Sequence, residues 1–192
     1  MSQSHRQRAA QRAKHELATN PVYLDTETTG MGKSDTVIEI AVIDDNQGPL
    51  VDTLVRTNKA IPPDAERIHG ITKDMTRNAP AWPEVWQEVE AAMQGQAVAI
   101  YNVNFDLRMI KQTHTQHWMN WKPPAGTRFF DVMEIYAQFQ GDWDPRRKRF
   151  RYHSLAQAGK QAGISLPNTH RARDDCLLTR ALLHYMARQG ET

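Results

Sequence analysis

Three runs near the start of the chain alternate apolar and polar residues with a period of two: 22–27 (VYLDTE), 36–44 (TVIEIAVID) and 50–57 (LVDTLVRT). That period belongs to strands. The Asn46–Gly48 stretch signals a turn, and connections this short predict an antiparallel meander. The spacing then changes. "PPDAERIHG" reads as a short helix opened by proline and closed by Gly70. Trp82, Val85, Trp86, Val89 and Met93 form an apolar stripe at helical spacing over 83–94, with Pro83 at its start. A short strand is predicted at 97–101, and a helix at 104–117 that Asn104 could cap. A last strand in "TRFFDV" precedes a helix over 131–140, a polar loop at 142–152, and helices at 153–162 and 172–188. The order βββα–β–α–β–α–α predicts an α/β fold whose sheet starts antiparallel and continues through crossover helices.

The 192 residues suffice for one domain with a sizeable core. A single cysteine, Cys176, excludes an intramolecular disulfide framework and fits a reducing, cytoplasmic setting. No run approaches the roughly 20 apolar residues of a membrane span. Residues 1–20 carry Arg6, Arg8, Arg12 and Lys14 against Glu16 alone. They read as a basic, frayed arm before a domain at 21–192, with a mitochondrial transit peptide as the alternative. Net charge is +2, but the arm holds +3 and the 146–151 stretch +5, which leaves −6 on the rest. An acidic body with two basic segments suits an anionic partner.

Asp25 and Glu27 stand at i and i+2 and share one face at the end of the first strand. They repel each other unless water or a cation intervenes. A solvated strand edge is the plain alternative. Asp106 falls in the first turn of the helix that follows the 97–101 strand, where the helix dipole alone could account for an acid. Asp175, in "HRARDD", shares a helix face with Leu178, Leu182 and Tyr185, so it points to the core and needs a partner. His170 lies five residues before it. Four carboxylates and an imidazole converge if the strands assemble in this way, and they then match the two-ion arrangement for phosphoryl transfer. Oxygen donors select Mg²⁺ or Mn²⁺, and an imidazole can take a proton near neutral pH.

"DTETTG", "NVNFD" and "HRARDD", the last fitting H-x-A-x-x-D, resemble in order and rough spacing the three motifs of the DEDDh 3′→5′ exonucleases. "ERIHGIT" and "YHSLAQAGKQAGI" resemble segments of the proofreading-subunit and exonuclease X-like branch. The resemblance covers about residues 22–188. It implies a ribonuclease H-like fold, with a mixed five-stranded sheet, the second strand antiparallel and helices on both sides. It implies Asp25, Glu27, Asp106 and Asp175 as ligands of two Mg²⁺ or Mn²⁺, and His170 as general base. Nucleic acid, DNA favoured, would be cut from a 3′ end, single-stranded or in a frayed duplex, to nucleoside 5′-monophosphates. Thr28, Thr29 and Gly30 would border the terminal nucleotide, Ile68 and His69 would meet its sugar and base, and Phe105 would stack or wedge against it. A plain helix C-cap is the alternative for His69 and Gly70. Tyr101 departs from the family pattern, which often has His there; altered packing near the metals is expected. A polymerase or repair-complex partner and a homodimer remain open.

"DPRRKRFRYHS" lies outside the shared pattern. Arg146, Arg147, Lys148, Arg149 and Arg151 alternate with Phe150 and Tyr152, which suits backbone phosphates and stacked bases. A solvated loop balanced by Asp142 and Asp144 is the alternative. A non-catalytic nucleic-acid-binding or polymerase-docking module of the same fold, and an endonuclease of the wider group, compete with the exonuclease. All five acid and histidine positions are intact, and His170 favours the exonuclease.

Overall fold

The computed structural model describes residues 4–166 and 169–189. Strands β1 (Val22–Thr28), β2 (Val37–Ile43), β3 (Pro49–Leu54), β4 (Ala97–Ile100) and β5 (Arg128–Asp131) form one sheet in the order β3-β2-β1-β4-β5. β2 is antiparallel to both β1 and β3, while β4 is parallel to β1 and to β5. The meander and the single antiparallel strand are thus as expected, and the architecture is ribonuclease H-like.

Helices cover both faces. α4 (Trp82–Met93) and α5 (Val103–Gln116) bury Trp82, Val85, Val89, Met109 and Ile110 against Leu24, Ile40 and Val42. On the other face, α1 (His5–Leu17), α6 (Val132–Gln140) and α8 (Ala172–Arg188) pack on Tyr23, Ala41 and Ile43. β2 is therefore buried along its whole length, and its alternating pattern separates two cores rather than core from solvent. The short α2 (Pro63–His69) and α3 (Lys73–Thr76) lie between β3 and α4, and α7 (Leu155–Gln161) precedes α8. Among the described residues, no helix is long and apolar enough to cross a membrane.

The frayed arm expected over 1–20 is instead, from Ser4 onward, a helix within the core. Ser4 and Gln7 form a reciprocal capping box. Ala9, Ala10 and Ala13 are fully buried in the α1/α6/α8 layer. The Arg6 guanidinium lies 3.9 Å over the Phe139 ring, and Glu16 accepts from Arg128 at 2.6 Å. Two further expectations differ. Asn104 does not cap α5; the chain enters α5 through Asn102 at φ +74, and the Asp131 carboxylate accepts from the Asn102 and Val103 amides at 3.3 and 3.2 Å. The 142–152 stretch is a small hairpin, β6 (Trp143–Asp144) paired with β7 (Arg149–Phe150).

Candidate active site

β1 and β4 pair only at Val22↔Val98 and Tyr23↔Ala99. Beyond that point the two parallel strands diverge at their C-terminal ends, where α/β sheets gather their sites. Asp25 and Glu27 continue along β1 into this opening, and α5 begins there. Thr26, on the opposite face of β1, donates to Asp106 Oδ1 at 2.8 Å, which fixes the buried Asp106 carboxylate beside the strand. The first turn of α8 supplies the buried Asp175. His170 Nδ1 lies 4.0 Å from Asp175 Oδ2. Donor atoms of Glu27, His170 and Asp175 lie within 4.8 Å of one another. His170 is half exposed and has φ +53, an unusual backbone state for a residue other than glycine. Pro167 and Asn168, on the approach to it, lie outside the described residues.

The electrostatics of this cluster are unfavourable as they stand. Burial, then the neighbouring Asp106, Asp175, Glu27 and Glu39, push the Asp25 carboxyl well above the usual carboxylate range. Burial and then Asp175 and Glu39 push Glu27 up to about 9. Burial raises Asp106 to about 7 in spite of the Thr26 hydroxyl. Crowded carboxyl groups with few cations nearby mark a place built for positive charge. Oxygen donors with one imidazole fit hard divalent ions.

A cavity of about 390 Å³ opens onto the cluster. Glu27 and His170 line it together with Thr28, Thr29, Gly30, Ile68, His69 and Phe105, so the residues expected to border a terminal nucleotide do share one cleft. Met31, 80% exposed, forms part of its lip. At Gly30 a Cβ would come 2.8 Å from Asp35 Oδ2. That oxygen accepts from the Gly32 amide, and Oδ1 accepts from the Thr29 hydroxyl at 2.7 Å, so a larger residue would push the loop off the cleft edge. Gly70 does close α2 in the left-handed region at φ +70. His69 belongs to the cap as well as to the cleft, because its Nδ1 accepts from the Ile71 amide at 3.0 Å.

Glu39 and Arg171 escaped the sequence reading. Glu39 is the only charged residue of β2, is 3% exposed, and stands directly opposite Glu27 in the β1–β2 register. Arg171 Nε donates to both of its oxygens, at 2.9 and 3.1 Å, a third bond comes from Arg171 Nη2, and the Ala172 amide donates at 2.9 Å. The pair cancels a charge facing Glu27 and ties the start of α8 to the sheet. The signal was an acid inside an apolar strand, which must have a partner.

A model of the exonuclease family, RNase T type, matches residues 22–183. The chain belongs to the exonuclease family. It is thus an enzyme, and all three motif segments fall within the matched residues. The uncharacterized exonuclease CP81 of Escherichia phage 186 is 33% identical to this exonuclease over 188 residues, covering 94% of this chain and 95% of that one. The DNA polymerase III subunit epsilon of Treponema pallidum (strain Nichols) is 31% identical over 175 residues, covering 86% and 78%. Among solved structures, exonuclease X in complex with 5′ overhanging duplex DNA superposes with a TM-score of 0.64 at 24% identity, covering 89% of this chain and 93% of that one. The nuclease domain of 3′hExo, a DEDDh family member bound to rAMP, superposes at 0.71 with 16% identity, covering 90% and 93%. These two likenesses bear on the fold, which is that of the DEDDh exonucleases.

The basic hairpin of this exonuclease lies by the same end of the sheet. The Tyr101 hydroxyl, one residue past β4, donates to the His153 carbonyl at 2.8 Å. The five cations are exposed. Arg147 reaches Asp144 at 3.7 Å and Arg151 reaches Asp142 at 3.4 Å, while Arg149 lies 4.4 Å over Tyr152. The balancing by Asp142 and Asp144 therefore holds for two of the five.

Proposed function

We propose that this exonuclease is a metal-dependent 3′→5′ enzyme that removes nucleoside 5′-monophosphates one at a time from nucleic acid, with DNA favoured. The observation that carries the reading is the convergence of Asp25, Glu27, Asp106 and Asp175 with His170 beside a cleft, where burial raises Asp25, Glu27 and Asp106 and neighbouring carboxylates raise Asp25 and Glu27 further. The four acids would hold two Mg²⁺ or Mn²⁺. When bound, such ions polarise the scissile phosphate and offset the charge of the attacking and leaving oxygens.

The chain's own residues do the rest. Phe105 and Ile68 wall the cleft and receive the terminal base and sugar. His69 presents a neutral ring, since burial holds it below its ordinary value and Nδ1 is engaged by Ile71. Thr28, Thr29 and Gly30 bring the β1 edge against the nucleotide. His170 takes the proton of the attacking water while the P–O3′ bond breaks. The products are a nucleoside 5′-monophosphate and a strand with a new 3′-hydroxyl.

A 5′-labelled oligonucleotide tests this. With Mg²⁺ or Mn²⁺ the expected product is a ladder shortened from the 3′ end, with mononucleotide released and all activity lost in EDTA. Asp25→Ala, Glu27→Ala, Asp106→Ala and Asp175→Ala should each nearly abolish it. Internal fragments would favour an endonuclease, and full activity in EDTA would overturn the metal reading. Since one relative is a polymerase subunit by name, a polymerase partner is a further proposal, tested by co-purification from cells.

A further inference from the structure

A second cavity, of about 370 Å³, lies between the start of β2, the chain after β3, the start of α4 and the end of α5. This is the size of a small-ligand site. Its rim carries Arg56, Lys59 and His117, its wall carries the Thr36 and Thr57 hydroxyls, and no lining residue is acidic. The hollow is acid-free and cation-lined in a chain whose net charge is −6 outside the two basic segments.

The Lys59 ammonium is held without being neutralised, and the Arg56 guanidinium is exposed. The Arg56 amide is fixed to the Pro80 carbonyl at 2.9 Å, and among the described residues its guanidinium has no carboxylate partner. Lys59 Nζ donates to the Ser34 carbonyl, and the neighbouring Lys73 Nζ donates to the Thr57 carbonyl. A carbonyl orients an ammonium group and leaves its charge for another ligand.

The cavity shares a wall with the catalytic cleft. The Thr29 amide donates to the Thr36 carbonyl at 2.9 Å, and the Thr36 amide donates back to Thr29 Oγ1 at 3.1 Å. Thr29 lines the cleft and Thr36 lines the second cavity. The loop between them is fastened to α5: Gln112 donates to the Gly32 and Asp35 carbonyls at 2.9 and 2.6 Å, and Gln116 to the Ser34 carbonyl at 2.8 Å. The two hollows are thus held at a fixed separation. A cation-lined hollow at fixed separation from a cleft that would bind phosphate through its metal ions suits a polymer with repeating phosphates better than a free mononucleotide. The hairpin contacts the α1/α6 layer on the other face of the sheet, so it does not serve this side of the cleft.

We propose that this cavity is a second nucleic-acid contact, which holds a backbone phosphate outside the cleft on Arg56 and Lys59. The inference rests on the exonuclease reading for its ligand. Its test therefore measures binding without cleavage, with Ca²⁺ in place of Mg²⁺, in a Glu27→Gln background, by fluorescence anisotropy at several salt concentrations. Arg56→Ser with Lys59→Ser is compared with the parent, with Arg56→Lys, and with Lys160→Ser plus Arg188→Ser as a charge-matched control remote from the cavity. Two lost contacts should flatten the slope of log K against log salt by about 1.4 for a single strand or about 1.8 for a duplex, a loss at 0.1 M salt of roughly 25-fold and roughly 60-fold respectively. Arg56→Lys should keep most of the slope, and the control should leave it nearly unchanged.

A loss confined to duplexes assigns the phosphate to the uncut strand, and a loss shared by single strands assigns it to the cut strand; both support the site. An unchanged slope, an equal loss in the remote control, or weaker binding of deoxynucleoside monophosphate alone overturns it. A parent that binds no nucleic acid at all would instead strike at the exonuclease reading itself. Matching thermal melts of the variants exclude misfolding as the cause.

Discussion

Glu27 offers a quantitative test of the repulsion in the metal-free cluster. Its carboxyl is moved from 4.5 to about 9, chiefly by burial and by the charge of Asp175. In the unfolded chain at pH 7.5 the group is ionised. In the folded, metal-free protein it must hold a proton or pay the repulsion. The folded state therefore binds more protons, and this group makes stability fall as pH rises from about 4.5 to about 9. Three pH units above the unfolded value correspond to at most about 4 kcal/mol at pH 7.5. Glu27 is half-buried, and solvent screening reduces this to about 1–2 kcal/mol. Glu27→Gln removes the titration while keeping the shape. At about 2–4 °C per kcal/mol for a chain of this size, the variant should melt roughly 2–8 °C above the parent in EDTA at pH 7.5. The gain should shrink toward zero near pH 4.5. Saturating Mn²⁺ should reverse the order, because only the parent keeps the full carboxylate set. Calorimetric scans at pH 4.5, 6 and 7.5 give the measurement. Equal melting points in EDTA at every pH, or a less stable variant, would refute the account of a strained cluster.

Other outcomes follow from the same geometry. His170→Ala should lower turnover by roughly 10²–10⁴ with the melting point nearly unchanged, and the deficit should narrow at high pH as hydroxide replaces the lost base; a small, pH-independent deficit would leave His170 a bystander. Arg171→Ala strands the buried Glu39 opposite Glu27 and should cost about 2–4 kcal/mol, read as a lower denaturant midpoint, with Glu39→Gln in the same chain restoring part of it; additive losses in that double variant would contradict the pairing. Changing Arg146, Lys148 and Arg149 together to Ser should flatten the single-strand salt slope by at most about 2, and a wholly unchanged slope would make the hairpin a solvated loop. Deleting residues 1–17 should markedly lower the melting point, and a deletion without effect would contradict the packing of α1.

The sheet and the acids were legible in the sequence because their signals are local. Period-two runs joined by short connections can pair in few ways, and Asp25 and Glu27 declare a shared face by spacing alone. Asp175 was readable from Leu178 and Leu182 on the same helical face. What escaped depends on distant or quiet partners. α1 buries Ala9, Ala10 and Ala13, side chains so small that they leave little hydrophobic periodicity, although the Ser4–Gln7 box was there to read. The cap of α5 comes from Asp131, 28 residues beyond Val103, which no local rule for Asn104 could anticipate. Glu39 finds Arg171 across 132 residues. Its burial could be inferred from the strand, but not which cation would meet it.

The contact of α1 with α8 joins nearly the first described residues to nearly the last. A chain emerging from the ribosome makes α1 early and can pack it on α6, but cannot complete its seat until α8 has been synthesised. The proposed ligand Asp175 arrives on that same final helix. A chain stopped before α8 would hold three of the four acids, a half-covered first helix and no assembled site. The order of synthesis thereby withholds the proposed cutting chemistry until α8 has been made, so fragments that stop before α8 should be poor nucleases and ready substrates for proteases.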